Sequence, residues 1–425
     1  MSRSKAELFL EQYGMSPESI DPARDAAAMA KEMELGLSEQ GSSLPMIPTY
    51  LSAKGHIRRD VPVAVIDAGG TNYRRALVTF TEQGTKVEEV KKWKMPGADK
   101  PVSWEEFISF TADSLMDIID RTDRIGFCFS YSAVITPEMD GRVLEIDKEV
   151  VVTGCEGKLV GASLLEELER RGVRGKKVVV LNDTVAVLLG GLSAMDPKAY
   201  SGFIGQVSGT GTNTCCSLPI SRIAKLRQDS DKSMVINLES GSYDKLPLGV
   251  FDRELDEQSE FPGTKLLEKL TAGVYLGELT HHMLSFAAAQ GLLAPESAEK
   301  VRTLGKIDAS VIDAWSCGEK LDQVSANDED AAFVCELSRA MFLRSARAMC
   351  TNLAAILLLT GEGQDPTRPV CVCAEGSLVQ KSRVYRPELA RLLDETGKQL
   401  GHHAVLRIGE ETTLPGSAAA ALLNI

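Results

Sequence analysis

Residues 61–80 read VPVAVIDAGGTNYRRALVTF, two apolar runs joined by a turn that contains Gly69 and Gly70. The runs at 61–66 and 75–80 predict strands, and the short turn between them predicts a β-hairpin. Glycine has no Cβ, so such a turn can bring backbone N–H groups close to a phosphate. The dinucleotide-binding turn differs because it leads from a strand into a helix, and the P-loop sequence Gly-x-x-x-x-Gly-Lys-Ser/Thr is absent from the chain.

A second turn of the same kind lies further along the chain. Residues 203–207 are expected to form a strand, 208–213 read SGTGTN, and 214–218 are expected to form the returning strand. The dipeptide Thr-Asn closes both turns, at 71–72 and at 212–213. Two similar glycine hairpins about 140 residues apart predict two related lobes that face each other.

Strands and helices alternate through both halves of the chain, which predicts an α/β fold. The apolar patterns predict further strands at residues 125–131, 177–181, 234–238 and 368–374. They predict helices at residues 164–171, 184–192, 265–289, 327–359, 389–400 and 417–423, and a polar helical segment over residues 1–55. The sequence SWEE at residues 103–106 has the pattern of a capping box and predicts the start of another helix.

The composition excludes several classes of protein. The chain has 425 residues, of which 44% are hydrophobic and 25% charged, and this predicts a globular protein of two domains. Its formal net charge is −13 and it has no long run of Lys and Arg, so a nucleic-acid partner is not expected. The nine cysteines are scattered, without Cys/His pairs at zinc-site spacing, which favours buried reduced thiols and a reducing compartment.

The sequence contains neither a secretion signal nor a membrane-spanning pattern. The first residues, MSRSKAE, are polar, and the longest aliphatic run is Leu353–Leu359. A membrane-spanning helix needs roughly 20 apolar residues, far more than this run supplies. No membrane partner is therefore expected, and the cytoplasm is the expected location.

Two groups of polar residues follow predicted strands and are candidates for chemistry. Asp67 ends the first strand directly before the glycine turn, where a carboxylate can hold Mg²⁺ directly or through water, but it could also cap its own turn. Asn182 and Asp183 follow the strand at 177–181, where α/β proteins place ligand contacts, but Asp183 could simply cap the next helix. The residues alone leave both pairs of alternatives open.

Several motifs in the same order resemble the hexokinase family, which has the actin-like ATPase (ribonuclease H-like) fold with two lobes flanking a cleft. The motifs are DAGGTNYR at 67–74, GFCFSY at 126–131, VLNDTV at 180–185, GTGTN at 209–213, INLESG at 236–241 and YLGE at 275–278. The similarity runs from about residue 61 to 285 and thins out to Glu375-Gly376-Ser377-Leu378 and Gly416-Ser417-Ala418-Ala419. One such motif would be weak evidence, whereas the ordered set is specific.

The resemblance implies a role for each matching residue. It implies that Asp183 is the general base for a sugar hydroxyl and that Lys148 stabilises developing charge, as phosphoryl transfer requires. The residues implied to bind the sugar are Ser130, Asp147, Lys148, Asn182, Asp183, Asn213, Glu239 and Glu268. Those implied to bind ATP are Asp67, Gly69, Gly70, Thr71, Asn72, Arg74, Gly209, Thr210 and Gly211 at the phosphates and Gly376, Ser377, Gly416 and Ser417 near the adenosine, with Mg²⁺ held by Asp67.

The implied organisation has a helical segment at 1–60 on the large lobe, a small lobe at 61–184, and a large lobe at 185–425 whose last helix can return to the small lobe. The implied reaction moves the γ-phosphate of MgATP to the 6-hydroxyl of a hexose, with glucose favoured and glycolysis as the context. The alternatives are a kinase for mannose, fructose or an amino sugar, a catalytically weak sugar sensor, and an actin-like or chaperone-type ATPase without a sugar. The retained Asn182, Asp183, Glu239 and Glu268 argue against the last of these.

Some positions depart from the family pattern at or beside the implied sugar site. The departures are Asp147-Lys148 for Thr-Lys, Ser130-Tyr131-Ser132 for Ser-Phe-Pro, Glu239-Ser240-Gly241 for Glu-Trp-Gly, and Lys265 for a Gln. They bear on which sugar is used more than on the type of reaction.

Overall fold

The computed structural model describes residues 3–38, 40–70, 72–146 and 150–425, which form a mixed α/β protein. The helices are α1 (Lys5–Gln12), α2 (Pro22–Leu37), α3 (Trp104–Leu115), α4 (Val160–Arg170), α5 (Asp183–Ala194), α6 (Val250–Gln258), α7 (Leu266–Thr271), α8 (Gly273–Ala289), α9 (Pro295–Thr303), α10 (Ala309–Ser316), α11 (Asp328–Thr360), α12 (Ser377–Lys381), α13 (Tyr385–Leu400) and α14 (Thr413–Asn424). The strands are β1 (Ile47–Pro48), β2 (Val63–Gly69), β3 (Asn72–Thr81), β4 (Gly84–Lys94), β5 (Val102–Ser103), β6 (Arg124–Phe129), β7 (Ser132–Ile135), β8 (Gly141–Glu145), β9 (Val152–Thr153), β10 (Lys177–Leu181), β11 (Phe203–Ser208), β12 (Thr212–Pro219), β13 (Ser233–Asn237), β14 (Val370–Glu375) and β15 (Ala404–Ile408).

The chain divides into two compact units, each made of three segments. Unit 1 consists of Met1–Pro45, Val207–Asn213 and Glu239–Ile408. Unit 2 consists of Met46–Gln206, Thr214–Leu238 and Gly409–Ile425. The boundaries predicted at residues 60 and 184 do not coincide with this division. Residues 185–206 group with unit 2 because α5 packs on α14 and on β6, which belong to the same unit.

Unit 2 is built around a five-stranded sheet with the order β10-β6-β2-β3-β4. The pairs β10–β6 and β6–β2 are parallel, whereas β3 pairs antiparallel with both β2 and β4. Successive side chains of a strand point to opposite faces, so Ala64 and Ile66 lie in one buried cluster with α3 and α4 residues, while Val63 and Val65 lie in another with α5 and α14 residues. Both faces are covered, which explains the continuously apolar β2.

The register of the parallel strands decides where the polar candidates lie. Asp67 in β2 is opposite Cys128 in β6, and Leu181 in β10 is opposite the same Cys128. The carboxyl ends of the three strands therefore meet at one edge of the sheet, where ligand contacts are usually found in α/β proteins. The first glycine turn follows β2 at this edge, and Asn182 follows β10 there.

A second group of strands, in the order β1-β13-β12-β11, also belongs largely to unit 2. β12 and β13 are antiparallel, with Cys216 opposite Ile236. The turn that joins β11 to β12 lies within Val207–Asn213 and is assigned to unit 1. The predicted strand-turn-strand arrangement at 203–218 is confirmed.

Unit 1 is mainly helical and is centred on α11. This helix begins at the N-cap Asn327, whose side chain accepts the N–H of Asp330, and it packs against α2, α10 and α13. Among the described residues, α11 is the one helix long and apolar enough to cross a membrane, but 83% of its most apolar window is buried inside the protein. Burial on nearly all sides accounts for that composition. β14 and β15 form a parallel pair in the same unit.

One predicted helix, at 265–289, is wrong in its continuity. Ala272 has an extended conformation and separates α7 from α8. The break lets the N–H of Gly273 donate to the carbonyl oxygen of Gly209, 2.8 Å away, in the second glycine turn. A local apolar pattern cannot reveal a break that is made by a contact about 60 residues away in sequence.

Candidate functional site

Asp67, which is buried, and Arg74, which is half-buried, form an ion pair beside the first glycine turn in unit 2. The two residues are register partners on β2 and β3, and Arg74 donates Nε at 2.9 Å and Nη2 at 2.6 Å to the same carboxylate oxygen of Asp67. Burial raises the pKa of Asp67, Arg74 opposes that rise, and the neighbouring Asp183 carboxylate adds to it. A carboxylate held in such a place is stabilised by a cation, so its chemistry fits Mg²⁺ as well as a guanidinium.

Ser130 lies directly beside Asp67 at the end of β6. Its N–H donates to the carbonyl oxygen of Ala68 at 3.1 Å. A Cβ added at Gly69 would lie 3.4 Å from Asp67 Oδ1 and 3.6 Å from Ser130 Oγ, so both polar groups flank the same glycine. Burial and the two nearby carboxylates, Asp67 and Asp183, raise the pKa of the Cys128 thiol, which keeps it neutral between them.

Asn182 and Asp183 lie at the junction of β10 and α5. Asn182 is the N-cap, and its side-chain oxygen accepts the N–H of Thr184 at 2.9 Å. Asp183 is half-buried, and its Oδ1 accepts the N–H of Thr184 at 2.7 Å and the Thr184 hydroxyl at 3.3 Å. Asn182 therefore takes the capping role that the sequence left open for Asp183, which is the first residue of α5.

The second glycine turn, in unit 1, is fixed by hydrogen bonds around it. The N–H of Gly209 donates to the carbonyl oxygen of Gly211 at 3.0 Å within the turn. The hydroxyl of Thr271 in α7 donates to Thr212 Oγ1 at 2.9 Å. Gly209 and Thr212 are buried, whereas Thr210 at the tip is exposed, as a group that meets a ligand should be.

Asn213, Glu239 and Glu268 form a polar group attached to that turn. The Asn213 amide donates to Glu239 Oε1 at 3.2 Å and accepts the N–H of Ser240 at 3.2 Å. Glu268 Oε2 accepts the N–H of Thr212 at 3.1 Å. Glu239 has a left-handed backbone with φ 52°, which is uncommon for a residue with a side chain and marks a position that its surroundings hold in place.

The segment at Gly376 and Ser377 packs on the same turn. Gly376 has φ +121°, and a Cβ there would lie 2.4 Å from the carbonyl oxygen of Ser208. A Cβ at Gly209 would lie 3.1 Å from the N of Ser377. The structure therefore brings together in unit 1 two segments, around 209 and 376, that the sequence separates by more than 160 residues.

Gly416 and Ser417 have a different environment. They lie in α14, where a Cβ at Gly416 would be 1.8 Å from the carbonyl oxygen of Ala186, and the buried Ser417 hydroxyl donates to the carbonyl oxygen of Thr413 at 2.8 Å. Gly416 therefore has a packing role between α14 and α5, and the backbone of Ser417 packs against Gly126 of β6. Their implied role near adenosine stays a prediction, and no exposed atom of Ser417 supports it.

The predicted site residues divide between the two units, and three of them lie outside the described residues. Unit 2 holds Asp67, Gly69, Gly70, Asn72, Arg74, Ser130, Asn182, Asp183, Gly416 and Ser417, and unit 1 holds Gly209, Thr210, Gly211, Asn213, Glu239, Glu268, Gly376 and Ser377. Thr71, Asp147 and Lys148 lie outside the described residues. Their predicted roles stay predictions.

Sequence reasoning missed the groups that hold the turns. The hydroxyl of Tyr131 donates to the carbonyl oxygen of Gly70, and Thr271 bonds to Thr212. Tyr131 had one usable signal, since it departs from the family's Phe. Thr271 had none, because its partner is distant in sequence.

Comparisons with known proteins agree with the motif order. Two family models, both described as hexokinase, match residues 5–192 and 203–423. Hexokinase-7 of Oryza sativa subsp. japonica is 28% identical over 94% of this chain and 91% of that protein. Hexokinase-1 of Schizosaccharomyces pombe is 26% identical over 97% of this chain and 89% of that protein.

Solved structures show the same fold. A hexokinase from Schistosoma mansoni complexed with glucose has a TM-score of 0.79 at 23% identity, covering 98% of this chain and 99% of that chain. Another hexokinase crystal structure has a TM-score of 0.81 at 20% identity with the same coverage. The expected α/β, actin-like ATPase fold of sugar kinases is confirmed.

Proposed function

The chain belongs to the hexokinase family, and on that premise we propose that it transfers the γ-phosphate of MgATP to the 6-hydroxyl of a hexose. Family and fold support a sugar kinase that phosphorylates hexoses. The choice of ATP as donor, of glucose as the preferred acceptor and of glycolysis as the context is part of the proposal. We also propose that the reaction takes place in the cytoplasm.

One observation carries the proposal, namely the placement of Asp183. It is half-buried at the N-terminus of α5, in the same unit as the first glycine turn, and near enough to Asp67 to raise the pKa of that carboxyl. Thr184 fixes one oxygen of Asp183 through two hydrogen bonds. A carboxylate oriented in this way suits the removal of a proton from an attacking hydroxyl, which is the main chemical step that phosphoryl transfer asks of a side chain.

Asp67 is the residue proposed to hold Mg²⁺. Its burial beside Asp183 creates a site that stabilises a cation, and Arg74 already provides one there. Mg²⁺ prefers one or two carboxylates together with phosphate oxygens, and it neutralises phosphate charge when bound. Among the described residues there is no group of three or more His, Cys, Asp and Glu side chains that could hold a metal ion. Phosphate oxygens of the nucleotide are therefore proposed as the other ligands of Mg²⁺.

The polar group in unit 1 is proposed to bind sugar hydroxyls. Asn213, Glu239 and Glu268 offer amide and carboxylate groups that can donate to and accept from a polyol. Their hydrogen bonds to one another and to Thr212 hold them in place before a ligand arrives, which lowers the entropic cost of binding. Gly209, Thr210 and Gly211 are proposed to contact phosphate. Ser130 and Asn182 are proposed to contact the sugar, and Lys148 is proposed to stabilise the charge that develops during transfer.

The test is a coupled assay of ADP release over glucose, mannose, fructose and N-acetylated sugars, with Asp183→Asn as the matched control. We expect release with at least one hexose, highest with glucose, and near-background release from the variant. Thermal unfolding with each sugar should show stabilisation of both proteins, because a ligand that binds only the folded state raises its stability. A sugar that stabilises the chain without any ADP release would identify a sensor instead.

A further inference from the structure

Tyr131 connects the segment that follows β6 to the first glycine turn within unit 2. It follows Ser130 in sequence, and its hydroxyl donates to the carbonyl oxygen of Gly70. We propose that Tyr131 is a positioning residue for the phosphates of the nucleotide, because its hydroxyl holds Gly70 of the first glycine turn in place. This inference rests on the proposed function and adds a residue that the motif comparison had associated with the sugar.

The tyrosine is itself firmly held. Its residue surface is only 5% exposed, and its ring centroid lies 5.2 Å from that of Phe129. The preceding residue, Ser130, is bonded through its N–H to the carbonyl oxygen of Ala68 at 3.1 Å. The Tyr131 hydroxyl is therefore held in place at the sheet edge, and its hydrogen bond restrains the carbonyl group of Gly70.

Gly70 lacks the restraints that a packed side chain would give. Its φ is +50°, and a Cβ built there would have no heavy atom within 4 Å. Glycine loses more conformational entropy on ordering than any other residue. If Gly70 were not held in place, this entropy would be lost when a phosphate binds and would weaken the binding. A hydrogen bond to the Gly70 carbonyl restrains this residue before a ligand binds, and preordering of a binding loop raises affinity.

The chemistry of the position supports an effect on the nucleotide and not on the sugar. The family pattern has Phe here, and Tyr adds one hydroxyl to the same ring. That hydroxyl is directed to the glycine turn, while Ser130 keeps its own hydroxyl beside Asp67 and Gly69. Removal of the Tyr131 hydroxyl should therefore weaken phosphate binding and leave the contacts of Ser130 intact.

The test is Tyr131→Phe in the full chain, with Tyr73→Phe as the matched control. Tyr73 lies in β3, close after the same turn, but its buried hydroxyl bonds to Ser114 Oγ at 3.0 Å in the core. For Tyr131→Phe we expect KM for MgATP and Kd for a magnesium complex of a non-hydrolysable ATP analogue to rise about three- to tenfold, the usual effect of one neutral hydrogen bond. KM for the hexose should change less than about twofold. Tyr73→Phe should lower thermal stability and leave both KM values near those of the unchanged protein.

Amide hydrogen exchange of the free protein gives a second readout that does not need activity. Peptides covering the first glycine turn should exchange faster in Tyr131→Phe and not in Tyr73→Phe. An unchanged Kd for the analogue, an equal rise of both KM values, or unchanged exchange at the turn would overturn the proposal. If the unchanged protein phosphorylates no hexose, the proposed function fails, and the exchange and analogue-binding arms still decide the role of Tyr131.

Discussion

Gly211→Ala tests whether the polar group in unit 1 binds the sugar. The φ of Gly211 is not in the left-handed region, so alanine adds no backbone strain. Its Cβ would lie 3.1 Å from Glu268 Oε2, which is closer than an ordinary contact, so the carboxylate must move by a few tenths of an ångström. The same oxygen accepts the N–H of Thr212 at 3.1 Å, and this bond would be lengthened or lost.

The expected size of the effect follows from that hydrogen bond. An N–H left without a partner in a buried residue such as Thr212 costs about 1–3 kcal/mol, and each 1.4 kcal/mol corresponds to about a tenfold change in an equilibrium constant. We expect unfolding to become easier by about 1 kcal/mol and hexose affinity to fall about tenfold. Nucleotide affinity should fall as well, because the added Cβ lies in the glycine turn that is proposed to contact phosphate.

Isothermal titration with hexose measures the affinity, and thermal unfolding measures the stability. Gly305→Ala is the matched control, since a Cβ there has no heavy atom within 4 Å and its φ is not left-handed. The double variant Gly211→Ala/Glu268→Ala should lose no more hexose affinity than Glu268→Ala alone, because coupled residues are not additive. A folded Gly211→Ala protein with normal hexose affinity, or full additivity in the double variant, would refute the reasoning.

Three further outcomes are expected. Asp183→Asn should lower kcat, measured by ADP release, by about 10²–10⁴-fold. The Kd for a non-hydrolysable ATP analogue should stay within about twofold of that of the unchanged protein. Near-normal turnover would show that Asp183 is not the base. Gly376→Ala should lower the melting temperature by several degrees more than Gly401→Ala. At Gly376 a φ of +121° is combined with a Cβ 2.4 Å from a backbone oxygen, whereas at Gly401 the φ is +70° and the Cβ would meet open space. Equal decreases in melting temperature would contradict this reasoning. Arg74→Gln should bind Mn²⁺ more tightly in the absence of nucleotide, because Asp67 loses its guanidinium partner, and it should bind MgATP more weakly. Electron paramagnetic resonance measures the Mn²⁺ affinity, and an unchanged value would argue against Asp67 as the metal ligand.

The sequence predicted the features that depend on neighbours along the chain. The strand at 177–181 is observed with the same bounds, the capping box at Ser103 is present, and Asn327 caps α11. These features follow from apolar periodicity, from β propensity and from short-range side-chain capping, all of which operate within a few residues. The ordered motifs also identified the hexokinase family, which the family models confirm.

Tertiary structure alone decided which distant groups meet. Three hydrogen bonds join residues about 55 or more positions apart: Gly273 to Gly209 at the helix break, Thr212 to Glu268, and Tyr131 to Gly70. The burial of Ser417 against Gly126 of β6 is likewise invisible in a short Gly-Ser-Ala-Ala pattern, since burial depends on which elements cover a residue. The sequence by itself determined the elements, the family and the candidate residues. The fold determined the hydrogen bonds that hold the glycine turns, because those bonds exist only after strands and helices from separate segments have packed together.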